Sequence, residues 1–260
     1  SPCPFGQFFI SFHGISIWEN RIRGQQTMQT KLLAIGLAML LSACLATVDN
    51  QFQNDFPVGK VVQDKVTMPQ GDVLLPPGDW TVLANELYRN NNYHPFGNMV
   101  LGRIDDQKFL RGFITISSPL SVPIRYSFYS SSFCNPNVTL LYHQTNANVD
   151  LGNQSCFSVK KKTISAFANF DDFVKVGTSN LYAMDVDRPY DMISAEFRIT
   201  RRNKFLVVEY GFDYRQDAAE MAPGYETGEE ISLPRAFSPK EKTENAEAVI
   251  RWARANAERI

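Results

Sequence analysis

The sequence predicts an α+β fold with a mostly antiparallel β-sheet, one internal helix and a C-terminal amphipathic helix. Three observations support this prediction. Several segments between residues 80 and 214 alternate apolar and polar side chains, as half-buried strands do. Short polar turns join some of these segments into hairpins. Residues 238–260 instead carry apolar side chains at helical spacing. A sandwich and an open barrel both remain compatible with the pattern, and the strand order stays open.

The first strands are predicted in the segment that follows a Pro-Pro-Gly turn. Trp80–Tyr88 is rich in β-forming residues. Phe96–Ile104 and Lys108–Ser117 form the arms of a hairpin that reverses about Asp105-Asp106. The second arm has apolar residues on both faces, which indicates a central strand covered on both sides.

Two weaker strand predictions follow in the middle of the chain. Ile124, Tyr126 and Phe128 alternate with more polar residues, which favours a half-buried strand. Val138–Tyr142 is a further short candidate.

The strongest hairpin prediction covers Glu196–Tyr214, with its turn at Arg201-Arg202-Asn203-Lys204. One face of its second arm is apolar at a period of two residues: Leu206, Val208, Tyr210, Phe212 and Tyr214.

Two segments are predicted to be helical. Thr163–Lys175 places its apolar residues on one side, and Gly177 is a plausible C-cap. Ser238–Ile260 has Ser238 as N-cap, Pro239 at the first helical position and Glu241 completing a capping box. Its apolar stripe consists of Ala246, Val249, Ile250, Ala253, Ala257 and Ile260, with Trp252 at the edge.

This C-terminal stripe is too long to be left in water, so it must cover either the sheet or a partner. Most helical stability comes from packing within the same chain. We therefore predict that Val249, Ile250 and Ala253 are buried against the sheet, and that truncation after Phe237 destabilises the whole domain.

A hydrophobic run near the start of the chain indicates export. Leu32–Leu41 follows Lys31 and precedes small residues, which is the order of a secretory signal peptide. The run is too short to span a bilayer, which needs about 20 residues. Met28 is then the predicted start, residues 28–43 the signal peptide and residues 1–27 an upstream extension. The alternative is that residues 7–18 are buried protein.

The end of this run, Leu41-Ser42-Ala43-Cys44, resembles the lipobox of bacterial lipoproteins. The resemblance implies cleavage before Cys44, with diacylglycerol on its sulfur and an acyl chain such as palmitate on its amino group. Leu45, where Asp tends to retain such proteins at the inner membrane, implies an outer-membrane anchor facing the periplasm. An ordinary signal peptide with an incidental cysteine is the alternative. Residues 44–59 are then a flexible tether, and residues 60–260 a single domain.

The cysteine count predicts a disulfide, and the net charge argues against nucleic acid as a partner. After Cys44 only Cys134 and Cys156 remain, which in an exported chain predicts one disulfide worth about 3 kcal/mol. Two buried free thiols are the alternative. The chain has 26 basic and 27 acidic residues, a formal net charge of −1. Nucleic acid is therefore excluded as an expected partner, because proteins that bind it usually carry a basic excess.

No candidate for chemistry is strong. His94 and His143 are expected to be surface or structural histidines. Asp185, Asp187 and Asp191 form an acidic group that lacks the EF-hand pattern for Ca²⁺. Lys160-Lys161-Lys162 is interpreted as a solvated charge run before the internal helix, the alternative being contact with anionic lipid headgroups. We predict no catalytic residue, no metal site and no cofactor.

These observations favour an outer-membrane-anchored periplasmic lipoprotein that acts as a binding or envelope-maintenance module. Its expected partners are the bilayer, through acylated Cys44, and a protein of the envelope. The alternative is an envelope hydrolase whose active site is assembled only by the fold. Such an enzyme should bring His94 or His143 within hydrogen-bond reach of an acidic or nucleophilic side chain in a pocket.

Overall fold

The computed structural model describes residues 51–128, 134, 140–146, 152–163, 172–233 and 240–260, with the side chains of 240–243 excluded. These residues contain ten strands and three helices, besides a helical stretch at 51–55. The strands are β1 (Val61–Val62), β2 (Lys65–Met68), β3 (Gly71–Leu74), β4 (Trp80–Arg89), β5 (Pro95–Ile104), β6 (Leu110–Pro119), β7 (Tyr142–Thr145), β8 (Asn153–Thr163), β9 (Asp191–Arg201) and β10 (Lys204–Phe212). The helices are α1 (Asp172–Ala183), α2 (Ala218–Met221) and α3 (Lys240–Asn256).

Eight strands form one sheet in the order β1-β4-β5-β6-β10-β9-β8-β7, and every pairing in it is antiparallel. Strands β2 and β3 form a separate hairpin. The described residues belong to one compact unit. The predicted α+β class, with a mostly antiparallel sheet, is therefore confirmed.

Both predicted hairpins are present. Strands β5 and β6 pair around the turn at Asp105, and β9 and β10 pair around Arg202 and Asn203. Arg202 has a φ of 54°, in the left-handed region that a two-residue turn requires and that arginine seldom adopts. Strand β4 occupies the predicted segment almost residue for residue.

The first face of the sheet carries the main hydrophobic core. Helix α3 and the β2–β3 hairpin cover it. Val249, Ile250 and Ala253 have no exposed surface, so the predicted packing of the C-terminal stripe is confirmed. Trp252 lies in this core, 5% exposed, with its ring centroid 5.0 Å from Tyr210 and 5.2 Å from Phe212. Trp252 is therefore central to the contact between α3 and the sheet, whereas the sequence pattern predicted it at the edge of the apolar stripe.

The second face has a smaller apolar cluster at one end. Helix α1 packs there through Phe173, Val174 and Leu181. Gly177 lies over β5, where a Cβ atom would be 3.1 Å from Val100 Cγ1. The prediction of Gly177 as a C-cap is therefore wrong: this glycine lies inside the helix and allows its close approach to the sheet.

The predicted helix Thr163–Lys175 is also placed wrongly. Thr163 is the last residue of β8, and the described helix runs from Asp172 to Ala183. The sequence pattern missed β8 because its second half is a run of lysines, which hides the alternation begun by Phe157 and Val159. Residues 164–171 lie outside the described part of the chain.

The predicted strand through Ile124, Tyr126 and Phe128 is wrong as well. Residues 121–128 form an irregular loop with a turn at 124–125, and Arg125 has a φ of 69°. Pro123 lacks the N–H group that a ladder needs, which favours the loop. Of the predicted strand Val138–Tyr142, residues 138 and 139 are outside the described residues, and the observed strand β7 begins at Tyr142.

The chain is already packed from residue 51, so the predicted tether at 44–59 does not extend over its second half. Residues 51–55 are helical and Phe52 is buried in the main core. A Cβ atom at Gly97 would lie 2.9 Å from the Phe52 ring, so glycine at this position admits the ring. The predicted N-cap Ser238 and Pro239 lie outside the described residues, and so does the side chain of Glu241.

Candidate ligand-binding site

A cavity of about 670 Å³ opens on the second face of the sheet, between helix α1 and the first residues of β5 and β10. Alternation along five strands sends charged and amide side chains into it. Lys160 and Lys162 come from β8, Glu196 and Arg198 from β9, Glu209 from β10, Asn98 from β5 and Glu86 from β4, and helix α1 adds Asp172. We call this space the charged cavity.

Strand register places two glutamates of the charged cavity side by side. Glu196 and Glu209 are direct partners across β9 and β10. Like charges opposite each other on adjacent strands destabilise a sheet unless they are compensated. Two lysines from β8 supply the compensation, because alternate residues of a strand share a face.

Lys160 bridges the two carboxylates. Its Nζ donates to Glu196 Oε2 and lies 3.5 Å from Glu209 Oε1. Lys162, only 7% exposed, donates to Glu209 Oε2 and has its Nζ 5.2 Å from the centroid of the Phe113 ring. On the other side of the pair, Arg198 Nε donates to Glu196 Oε1 at 2.6 Å. Three cations thus surround two carboxylates.

The network holds these groups in their charged forms. Burial disfavours the charged form of Lys160, but Glu209 and Glu196 outweigh burial and raise the pKa of Lys160 above its ordinary value. Burial likewise acts against ionised Glu196, but Lys160 and Arg198 outweigh it and lower the pKa of that carboxyl. Glu196 is therefore held ionised, which is the opposite of what a general acid needs.

An apolar wall completes the charged cavity. Tyr88, Phe96 and Phe205 line it on one side, and Phe173 and Val174 of helix α1 on the other. Phe96 and Phe205 are 5.6 Å apart between ring centroids, in an edge-to-face arrangement. A site with one charged side and one aromatic side suits an amphiphilic organic molecule.

Asn98 adds an unsatisfied polar group to the lining. It is 7% exposed, and its Nδ2 donates to Glu86 Oε2 at 3.2 Å. Its Oδ1 has no hydrogen-bond partner among the described residues. Leaving a buried acceptor unpaired costs about 1–3 kcal/mol, so a ligand that donates a hydrogen bond to this oxygen would recover that cost.

The two histidines do not join the charged cavity. His94 packs edge-to-face on Tyr126, 4.1 Å between ring centroids, and its Nδ1 has no partner among the described residues. His143 is exposed on edge strand β7. In the part of the chain that the structure describes, neither imidazole has a recorded hydrogen bond or ion pair with an acidic or nucleophilic side chain.

The acidic group at 185–191 is dispersed. Asp185 lies exposed beside Lys108 at 4.0 Å, and Asp187 pairs with Phe109 through the backbone. Asp191 is buried and takes an ion pair from Lys161 at 2.7 Å and a hydrogen bond from Thr163. Within the described ranges, no three His, Cys, Asp or Glu side chains are grouped to hold a metal ion.

The interpretation of Lys160–Lys162 as a solvated run is wrong. Lys160 and Lys162 face into the charged cavity, and Lys161, on the opposite side of the strand, pairs with Asp191. The local signal that could have revealed this is the alternation of Phe157 and Val159, which continues in register through the lysines. The two partner glutamates lie on other strands, which the sequence cannot align.

The predicted disulfide is present between Cys134 and Cys156. Cys156 lies on β8, where its direct partner is Thr145 of the edge strand β7. The bond therefore ties residue 134 to the strand that supplies both cavity lysines.

Comparison of the chain with models of protein families, with curated proteins and with solved structures gave no match. Over the described residues, no helix combines the length and the apolar character needed to cross a membrane.

Proposed function

We propose that this chain is a lipid-anchored envelope protein that binds a small amphiphilic molecule in the charged cavity. The observation that carries the binding proposal is the cavity itself, where charged side chains of four strands face an aromatic wall. Its volume lies within the range of small-molecule sites, about 300–1,000 Å³. The charged side chains that line the cavity are Lys160, Lys162 and Arg198 against Glu86, Asp172, Glu196 and Glu209, so a polar head group of either sign finds partners of opposite charge there.

Binding has more support than hydrolysis. A hydrolase would need an acid or base free to exchange protons, but the four carboxylates that line the charged cavity all have partners. Glu196 and Glu209 are engaged by lysines of β8, Asp172 by Lys175, and Glu86 by the amide of Asn98. The lowered pKa of Glu196 keeps it ionised. The hydrolase alternative would gain support from a histidine beside an acid, and neither His94 nor His143 has that arrangement in the described structure.

The anchoring part of the proposal rests on the sequence Leu41-Ser42-Ala43-Cys44 and on Leu45 after it. These residues support acylation of Cys44 and an outer-membrane position facing the periplasm. The Cys134–Cys156 disulfide is consistent with an oxidising compartment such as the periplasm. A protein partner in the envelope remains part of the proposal.

The cavity is tested with anilinonaphthalene sulfonate, a dye with an aromatic body and an anionic group. Val207 lines the charged cavity without joining the ion network, so Val207→Trp should fill the space and weaken dye binding by about tenfold or more. Val176→Trp, the same change at an exposed position of α1, is the matched control and should bind like the wild type. Equal dye binding by both variants would contradict the binding proposal.

The anchor is tested separately by growth with labelled palmitate. The wild type should incorporate the label, and Cys44→Ala should incorporate none and accumulate as a precursor. If the variant is labelled, or the wild type is not, the anchoring proposal is wrong while the cavity proposal is unaffected.

A further inference from the structure

Three chain reversals meet at one end of the sheet. They are the turn between β4 and β5, the loop 121–128 after β6, and the β9–β10 turn. Asn92 Nδ2 donates to the Tyr126 hydroxyl at 3.0 Å, and the Phe128 N–H donates to the Arg202 carbonyl at 3.0 Å. These bonds connect the three reversals into one continuous surface.

This surface is strongly basic. We call it the basic end, and its exposed cations are Arg89, Arg125, Arg201, Arg202 and Lys204. The described segments 89–95, 119–128 and 199–206 contain no aspartate or glutamate. Arg201 and Lys204 share a small cavity with Asp72 and Glu258, and Asp72 is engaged by Lys65 at 2.6 Å. Asp55 shares a separate pocket with Leu120, the residue before the loop 121–128.

Two large apolar side chains protrude among these cations. Ile124 is 91% exposed at the tip of its loop, and Tyr93 is 81% exposed in the neighbouring turn. Exposed aliphatic and aromatic side chains surrounded by lysine and arginine are typical of surfaces that insert shallowly into an anionic bilayer.

The chain enters the described domain at this same end. Phe52 packs on Gly97, near the start of β5, and lines a pocket with Leu120, which immediately precedes the loop 121–128. Whatever path the intervening residues take, the chain from Cys44 to Gln51 spans at most about 25 Å. An acyl chain on Cys44 therefore keeps the basic end within reach of the membrane surface.

We propose that the basic end docks on anionic phospholipid when Cys44 is acylated, with Ile124 and Tyr93 entering the headgroup layer. This inference rests on the proposed anchoring. The acyl chains supply attachment, and the tether raises the local concentration of the basic end at the bilayer, so weak contacts suffice to orient the domain.

The test uses the full-length lipidated protein in vesicles of phosphatidylglycerol and brominated phosphatidylcholine, in which bromine quenches a nearby indole. In I124W the new indole should be quenched about twofold relative to vesicles without bromine, because shallow insertion places it near the acyl chains. Y190W is the matched control: Tyr190 is 70% exposed and lies at the opposite end of β9 from the turn. Its indole should not be quenched. Adding Arg125→Glu and Arg202→Glu to I124W should abolish the quenching but not vesicle flotation.

The outcomes separate the inference from the anchoring proposal. If Cys44 carries no acyl chain, the anchoring proposal fails and the inference falls with it. If the protein floats with the vesicles but I124W is quenched no more than Y190W, the anchoring stands and the inference alone is overturned. Quenching of I124W that survives the two charge reversals would overturn the electrostatic docking.

Discussion

Glu196 and Glu209 face each other directly across strands β9 and β10, with both carboxylates inside the charged cavity. On their own they would repel and weaken the central pairing of the sheet. Lys160 of β8 bridges the two carboxylates, so a third strand supports the pairing of β9 with β10. The stability of the sheet and the composition of the cavity depend on the same side chains.

Removing the bridging cation should be costly. Lys160→Met leaves two buried carboxylates short of a partner, and we expect the free energy of unfolding in urea to fall by about 3–5 kcal/mol. Lys175→Met, which breaks the exposed pair with Asp172, is the matched control and should change it by less than about 1 kcal/mol. Adding Glu209→Gln to Lys160→Met should recover part of the loss. Similar values for the two single variants would show that the network does not stabilise the fold.

The network also predicts a pH dependence with two limbs. The pKa of Glu196 is lowered from an ordinary 4.5, so its stabilisation is present above pH 4.5 and is lost as the pH falls towards the folded pKa. The pKa of Lys160 is raised from an ordinary 10.5, so its stabilisation is present below pH 10.5 and is lost as the pH rises through the folded pKa.

The acid limb is measured as the difference in unfolding free energy between wild type and Glu196→Gln. This difference should be largest near neutral pH and shrink below pH 4.5. Glu229→Gln, at an exposed carboxylate, provides the matched baseline. A difference that stays constant down to the acid transition would contradict the role given to Glu196.

The disulfide should contribute to stability. Cys134→Ser with Cys156→Ser removes a crosslink between residues 22 apart, and we expect a loss of about 3 kcal/mol in the free energy of unfolding. Dithiothreitol should lower the stability of the wild type by a similar amount and leave the double variant unchanged. Quantitative alkylation of both cysteines in the untreated wild type would show that the bond does not form.

The C-terminal helix should be required for folding of the domain. Trp252 contacts Phe197, Tyr210 and Phe212, so Trp252→Ala should destabilise by about 3–5 kcal/mol. Arg254→Ala, on the exposed side of the same helix, should change stability by less than about 1 kcal/mol. Truncation after Phe237 should lower the melting temperature of the whole domain. A truncated chain that melts like the wild type would contradict this packing.

The sequence by itself determined the features that depend on residues close together along the chain. Alternation fixed β4 and both long hairpins, because the register of a hairpin follows from its turn and from the side chains beside it. The helical spacing of Val249, Ile250 and Ala253 fixed the buried side of α3 in the same way. The count of cysteines was enough to pair Cys134 with Cys156.

Only the tertiary structure decided the site. Lys160, Glu196 and Glu209 lie on three strands whose order the chain does not state, and each residue alone has the appearance of an ordinary surface charge. Pairing β8 with β9 and β9 with β10 puts all three on one face, with Glu196 directly opposite Glu209 and Lys160 two residues along β8 from Ser158, the direct partner of Glu196. The physical reason is that a charge is recognised as functional by its burial and its partners, and both depend on contacts between residues far apart in sequence.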